Sequence, residues 1–101
     1  KVIIEMQVTR YNYMIDRLLF YWSAVYKADL KRGESYKKLD KTIAILIIEE
    51  NLNETKEIEE YHTIWKLREN RYHNIVLTNN LEIHIIELAK FKTNKEKPAS
   101  R

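Results

Sequence analysis

A chain of 101 residues, 45% hydrophobic and 33% charged, suits one soluble globular domain with a single core and is unlike a disordered segment. The absence of Cys excludes disulfides and thiolate metal sites and fits a reducing cytoplasm, and a single Gly excludes a glycine-rich phosphate loop. The net charge of +3 permits a polyanionic partner without requiring one, and no apolar run approaches the roughly 20 residues of a membrane helix.

The first segment, residues 1–8, reads as a strand. Alternation puts Val2, Ile4, Met6 and Val8 on one apolar face and Ile3, Glu5 and Gln7 on the other. Residues 10–32 then predict a long helix. Tyr11, Met14, Ile15, Leu18, Leu19, Trp22, Val25, Tyr26 and Leu30 form its buried stripe, Thr9 its cap and Gly33 its terminator. Tyr13, Arg17 and Tyr21 make a second row at i, i+4, i+8, with the guanidinium between two phenols.

Ser35 is placed to cap a short turn over 36–39. Residues 42–48 are apolar on both faces and rich in β-branched side chains, the pattern of a central strand covered on both sides. Strand, helix, strand order favours parallel pairing of this segment with the first. Residues 49–60 hold six Glu against one Lys and read as a solvated loop. Strands are expected over 61–69 and 81–88, with a turn or short helix between them over 70–80. The tail, 92–101, has five charges and the only Pro, and is expected to fray.

Glu5 and Gln7 are the first candidates for chemistry. A carboxylate on a segment built for burial is costly unless paired or bound to a metal. A strand carboxylate can ligate a hard cation such as Mg²⁺, and a same-face amide can orient the water that the cation activates. One carboxylate is a poor Mg²⁺ site, so this reading needs a second acid from elsewhere. The plainer alternative is a half-exposed strand whose polar face meets water. Arg17 and Tyr21 are candidates to contact phosphate; the alternative is an arginine packed along its stem on the helix surface. His62, His73 and His84 have no metal-ligand spacing, and His84, between Ile83 and Ile85, reads as a satisfied strand side chain.

The order of these pieces resembles a known family. Ile4-Glu5-Met6-Gln7 is followed by Arg17-Leu18-Leu19-Phe20-Tyr21-Trp22, Tyr26, and the stretch from Leu30-Lys31-Arg32-Gly33 to Leu39. Ile43-Ala44-Ile45-Leu46-Ile47, Tyr61-His62-Thr63 and the stretch from Leu77 to Leu88 continue it. Together they are similar to the bacterial recombination-promoting nuclease/transposase family of the PD-(D/E)xK superfamily.

The resemblance implies an α+β (α/β), restriction-endonuclease-like mixed sheet with a long helix after the first strand. Residues 1–91 would be the C-terminal portion of that domain. Glu5 would hold the (D/E) position and ligate Mg²⁺, and Gln7 would stand where the wider superfamily has Lys, as is normal for this family. The implied function is metal-dependent DNA endonuclease activity in an intact parent. The superfamily's other acid belongs to a preceding strand, so the chain is expected to be an N-terminally truncated piece, inactive alone. The rival expectation is a non-catalytic DNA-binding or dimerising module, with self-association through exposed sheet.

Overall fold

A computed structural model describes residues 1–7, 13–28 and 30–91, the side chains of Met6 and Gln7 excepted. The elements are β1 (Val2–Gln7), α1 (Met14–Lys27), a 3-10 turn (Tyr36–Lys38), β2 (Thr42–Ile48), β3 (His62–Arg68) and β4 (Val76–Glu87). A last helical turn covers 88–91. Thr9, the expected cap, and the expected frayed tail lie outside the described residues.

The sheet order is β1-β2-β4-β3. β1 pairs parallel with β2, as the crossover helix demands, β2 pairs parallel with β4, and β3 closes the sheet antiparallel to β4. This mixed four-stranded sheet with a helix after its first strand is the expected α+β architecture.

The helix is shorter than the stripe predicted. It starts at Met14 because Tyr13 is left-handed (φ 61°), and it ends at Lys27. Its C-terminal carbonyls receive a cation, since Lys1 Nζ donates to Val25 O at 3.0 Å. Gly33 therefore does not terminate the helix. It supplies the positive φ (85°) of a separate turn in which Glu34 N–H reaches Lys31 O at 3.0 Å. Ser35 caps the 3-10 turn as expected, accepting from Lys37 N–H at 3.2 Å.

β2 keeps its expected bounds, but its two faces differ. Thr42, Ala44, Leu46 and Ile48 are fully buried, whereas Ile43, Ile45 and Ile47 are half-exposed. Helix α1 covers only the first row, building a core of Met14, Leu18, Ala44, Leu46, Ile48, Leu52, Ile83 and Ile85. Trp22 fastens the helix there by donating to Thr42 O at 2.7 Å while stacking on Tyr26 at 4.6 Å.

The register then corrects the reading of β1. Glu5 pairs with Leu46 and Ile3 with Ala44, so the Glu5 face is the one beneath the helix. Val2 (59% exposed) and Ile4 (64%) face out on the opposite side. The apolar face of β1 is the open one, and the polar face looks towards α1.

Two further expectations change. The 49–60 segment is irregular but not simply solvated: Leu52 and Thr55 are buried. β4 is twelve residues long and begins at Val76, so much of the expected 70–80 connection is strand. Register shifts after Lys66 and Leu67 leave Asn79 to Leu81, and then Leu77, as bulged residues of β4.

Candidate functional site

The cleft beside Glu5 is lined by Glu5, Met14, Arg17, Leu18, Tyr21 and Leu46. Three elements build it. β1 brings Glu5 into line with Leu46 of β2, and the first two turns of α1 bring Arg17 and Tyr21 over them. Met14, the first residue of the helix, and Leu18, one turn on, are buried against the sheet and fix its rotation. That rotation sets Arg17 and Tyr21, four residues apart, at the border between the core stripe and solvent.

Arg17 Nη2 donates to the Tyr21 hydroxyl at 3.3 Å, and its guanidinium carbon lies 5.7 Å from the Tyr21 ring centre. The Arg17–Tyr21 half of the expected row is therefore present. Tyr13 is not part of it, because its left-handed backbone places it before the helix. Gln7 is on β1, in register with Ile48, and its side chain lies outside the described residues.

The cleft thus combines one carboxylate, one guanidinium and one phenol. The carboxylate can hold a hard cation, the guanidinium can take two phosphate oxygens in parallel, and the phenol can donate one hydrogen bond. The N-terminal turn of α1 opens at the same place, which adds partial positive charge at the mouth. Among the described residues no group of three His, Cys, Asp or Glu converges to hold a metal.

A second polar group lies on the open face of the sheet. His84 Nε2 donates to Glu82 Oε2 at 2.6 Å, which leaves His84 Nδ1 to accept from His62 Nε2 at 2.8 Å. Lys41 (3.0 Å) and Lys66 (3.7 Å) flank Glu82 Oε1. The His84 hydrogen bond, then Lys41 and the charges of both lysines, hold the Glu82 carboxyl down at about 2. His84 is satisfied, as its alternation suggested. Its pairing with His62 was not legible, because the 62–84 partnership depends on the β3–β4 register. Glu82-x-His84, two residues apart on one strand face, was the available signal.

A third group is buried. Glu87 accepts from Leu52 N–H at 2.9 Å and from Thr55 Oγ1 at 2.6 Å, and Lys90 Nζ stands 3.1 Å away while also donating to Thr55 O. It locks the 49–60 segment onto the end of β4. The i, i+3 spacing of Glu87 and Lys90 across the strand end was the one sequence trace of it.

A family model described as PD-(D/E)XK nuclease family transposase matches residues 1–101. No curated protein and no solved structure matches. No helix among the described residues is long and apolar enough to cross a membrane.

Proposed function

The chain belongs to the PD-(D/E)XK nuclease family transposases, and from that premise we propose that it carries part of a metal-dependent DNA endonuclease site centred on Glu5. PD-(D/E)XK nucleases generally use divalent metal ions, and we take the ion here to be Mg²⁺. The observation that carries the reading is the shared cleft of Glu5, Arg17 and Tyr21.

The donor set fits such an ion in part. Mg²⁺ is commonly held by one or two carboxylates, with waters and substrate phosphates completing its shell, and the cleft offers one carboxylate with space open to solvent. When bound, the ion would lower the pKa of a water and offset charge on the attacked phosphate. Glu5 would supply one oxygen ligand. Gln7, two residues along β1, would orient the attacking water by hydrogen bonding. Arg17 would hold a phosphate oxygen through its guanidinium, with Tyr21 fixing that group through the 3.3 Å hydrogen bond.

The test is nicking of supercoiled plasmid in Mg²⁺ by the protein that carries this domain, wild type against Glu5→Gln. We expect a loss of at least about a hundredfold, the scale of removing a group that stabilises developing charge. Equal rates would remove Glu5 from the site. The single carboxylate in the cleft favours a second reading, a non-catalytic DNA-binding module. Salt-dependent binding of DNA with no Mg²⁺-dependent nicking in the wild type would decide for it.

A further inference from the structure

The β3–β4 ribbon leaves the body of the domain. Every residue in 64–75 is exposed, so beyond Ile64 this ribbon is solvated on both faces. The bulge at Asn79 to Leu81 comes where the pairing jumps from Lys66–Glu82 to Leu67–Thr78, so it marks the start of the arm.

The tip is nonetheless built. Glu69 N–H reaches Ile75 O at 2.9 Å, Ile75 N–H reaches Tyr72 O at 3.0 Å, and Arg68 Nη1 donates to His73 O at 2.7 Å. Glu69, the only acid in the arm, is exposed as well, and its Oε1 accepts both Arg71 N–H and Tyr72 N–H at 2.8 Å. These two bonds lower its pKa. The negative charge is thereby tied to the backbone, while Arg71 and the rest of the Arg68 guanidinium face solvent beside exposed Tyr72, Ile75 and Leu77 (81% exposed).

We propose that this arm, residues 67–77, is a ribbon that enters a groove of double-stranded DNA, with Arg68 and Arg71 on the phosphates and Tyr72, Ile75 and Leu77 against the groove. Charge complementarity names the occupant: two arginines against one acid leave the arm net cationic, and the acid already accepts two backbone N–H groups of the turn. Exposure on both faces points the same way, because a groove contacts a ribbon from both sides whereas a flat protein partner covers one. Two strands about 4.8 Å apart fit a major groove about 12 Å wide. The arm grows from the edge strand opposite β1, three strand spacings or about 14 Å across the sheet; Glu5 is level with Thr63 through Leu46 and Ile85, so Arg68, five residues further along, lies about 22 Å from it. That is roughly six base steps of 3.4 Å, within the length of one short duplex.

This inference rests on DNA being the substrate, and its test separates the two readings. Anisotropy of a labelled duplex of about 20 bp is measured in EDTA across a salt series for wild type, Arg68→Ala/Arg71→Ala and Lys56→Ala. We expect the double alanine variant to bind about tenfold more weakly and its slope of log K against log[salt] to fall by about 2. Lys56→Ala, which removes an exposed cation outside the arm and the cleft, should bind like wild type. Unchanged affinity and slope in the double variant, or no binding by the wild type, overturns the arm proposal. If sedimentation shows a dimer that Leu77→Asp dissociates while DNA binding is unchanged, the arm serves a second copy, whose acidic 49–60 segment offers the competing charge match, and the DNA assignment fails. Arm-dependent binding without any nicking supports the arm and removes only the catalytic reading.

Discussion

Replacing Lys90 by Met should destabilise the domain severely, because it strands a carboxylate in the core. Glu87 has no solvent exposure and Lys90 is 8% exposed. Among the described residues their 3.1 Å contact is the only charge compensation for Glu87; its other partners, Leu52 N–H and Thr55 Oγ1, are neutral donors. Breaking a buried ion pair from one side costs about 3–5 kcal/mol. The two neutral bonds that remain, and the packing of the Met side chain along the path of the lysine stem, place the expectation at about 3 kcal/mol. Against a total stability of about 5–15 kcal/mol that is a large fraction, and it corresponds to a melting temperature lower by roughly 12–24 °C. Urea unfolding followed by far-UV circular dichroism measures it, with an unchanged m-value showing that the unfolded state is the same. The double variant Glu87→Leu/Lys90→Met removes both charges and should recover most of the loss, since well-packed apolar pairs often replace buried ion pairs without penalty. A Lys90→Met variant within about 0.5 kcal/mol of wild type would refute the argument that Lys90 compensates the buried charge.

Two other outcomes follow from named geometry. His84, Lys41 and Lys66 bring the Glu82 carboxyl from an ordinary 4.5 down to about 2; a depressed carboxylate stabilises the fold above its unfolded pKa and loses that contribution as pH falls through its folded one. Unfolding free energy should therefore drop between about pH 4.5 and 2 more steeply in wild type than in Glu82→Gln, and parallel curves would contradict it. Gly33 sits at φ 85°, and a Cβ there would meet only open space, so any cost of Gly33→Ala is backbone strain alone. The substitution should lower stability by about 1 kcal/mol, with Gly33→Asn costing less, as read by thermal melts.

The amino-acid order was sufficient wherever the determining contacts are local. β2 kept its predicted bounds because its β-branched run is unambiguous, and its parallel pairing followed from the helix between the strands. Ser35 announced its turn, since a cap needs only its own next two residues. The same-face placement of Glu5 with Ile3, and the four-residue spacing of Arg17 and Tyr21, are likewise properties of single elements.

What the tertiary structure decided depends on partners far along the chain. Whether the Glu5 face or the Val2 face of β1 lies beneath the helix follows from register against β2 and from which side α1 crosses. The apolar row turned out to be the open one. Val76 and Thr78 are strand because Arg68 and Leu67 of β3 pair with them, and Asn79 and Asn80, poor strand formers, lie in the bulge between those pairs and Glu82. His62 meets His84, and Thr55 meets Glu87, only after the sheet is assembled. Periodicity encodes which residues share a face; only packing says what that face meets, because burial and register are settled by long-range contacts that no local pattern carries.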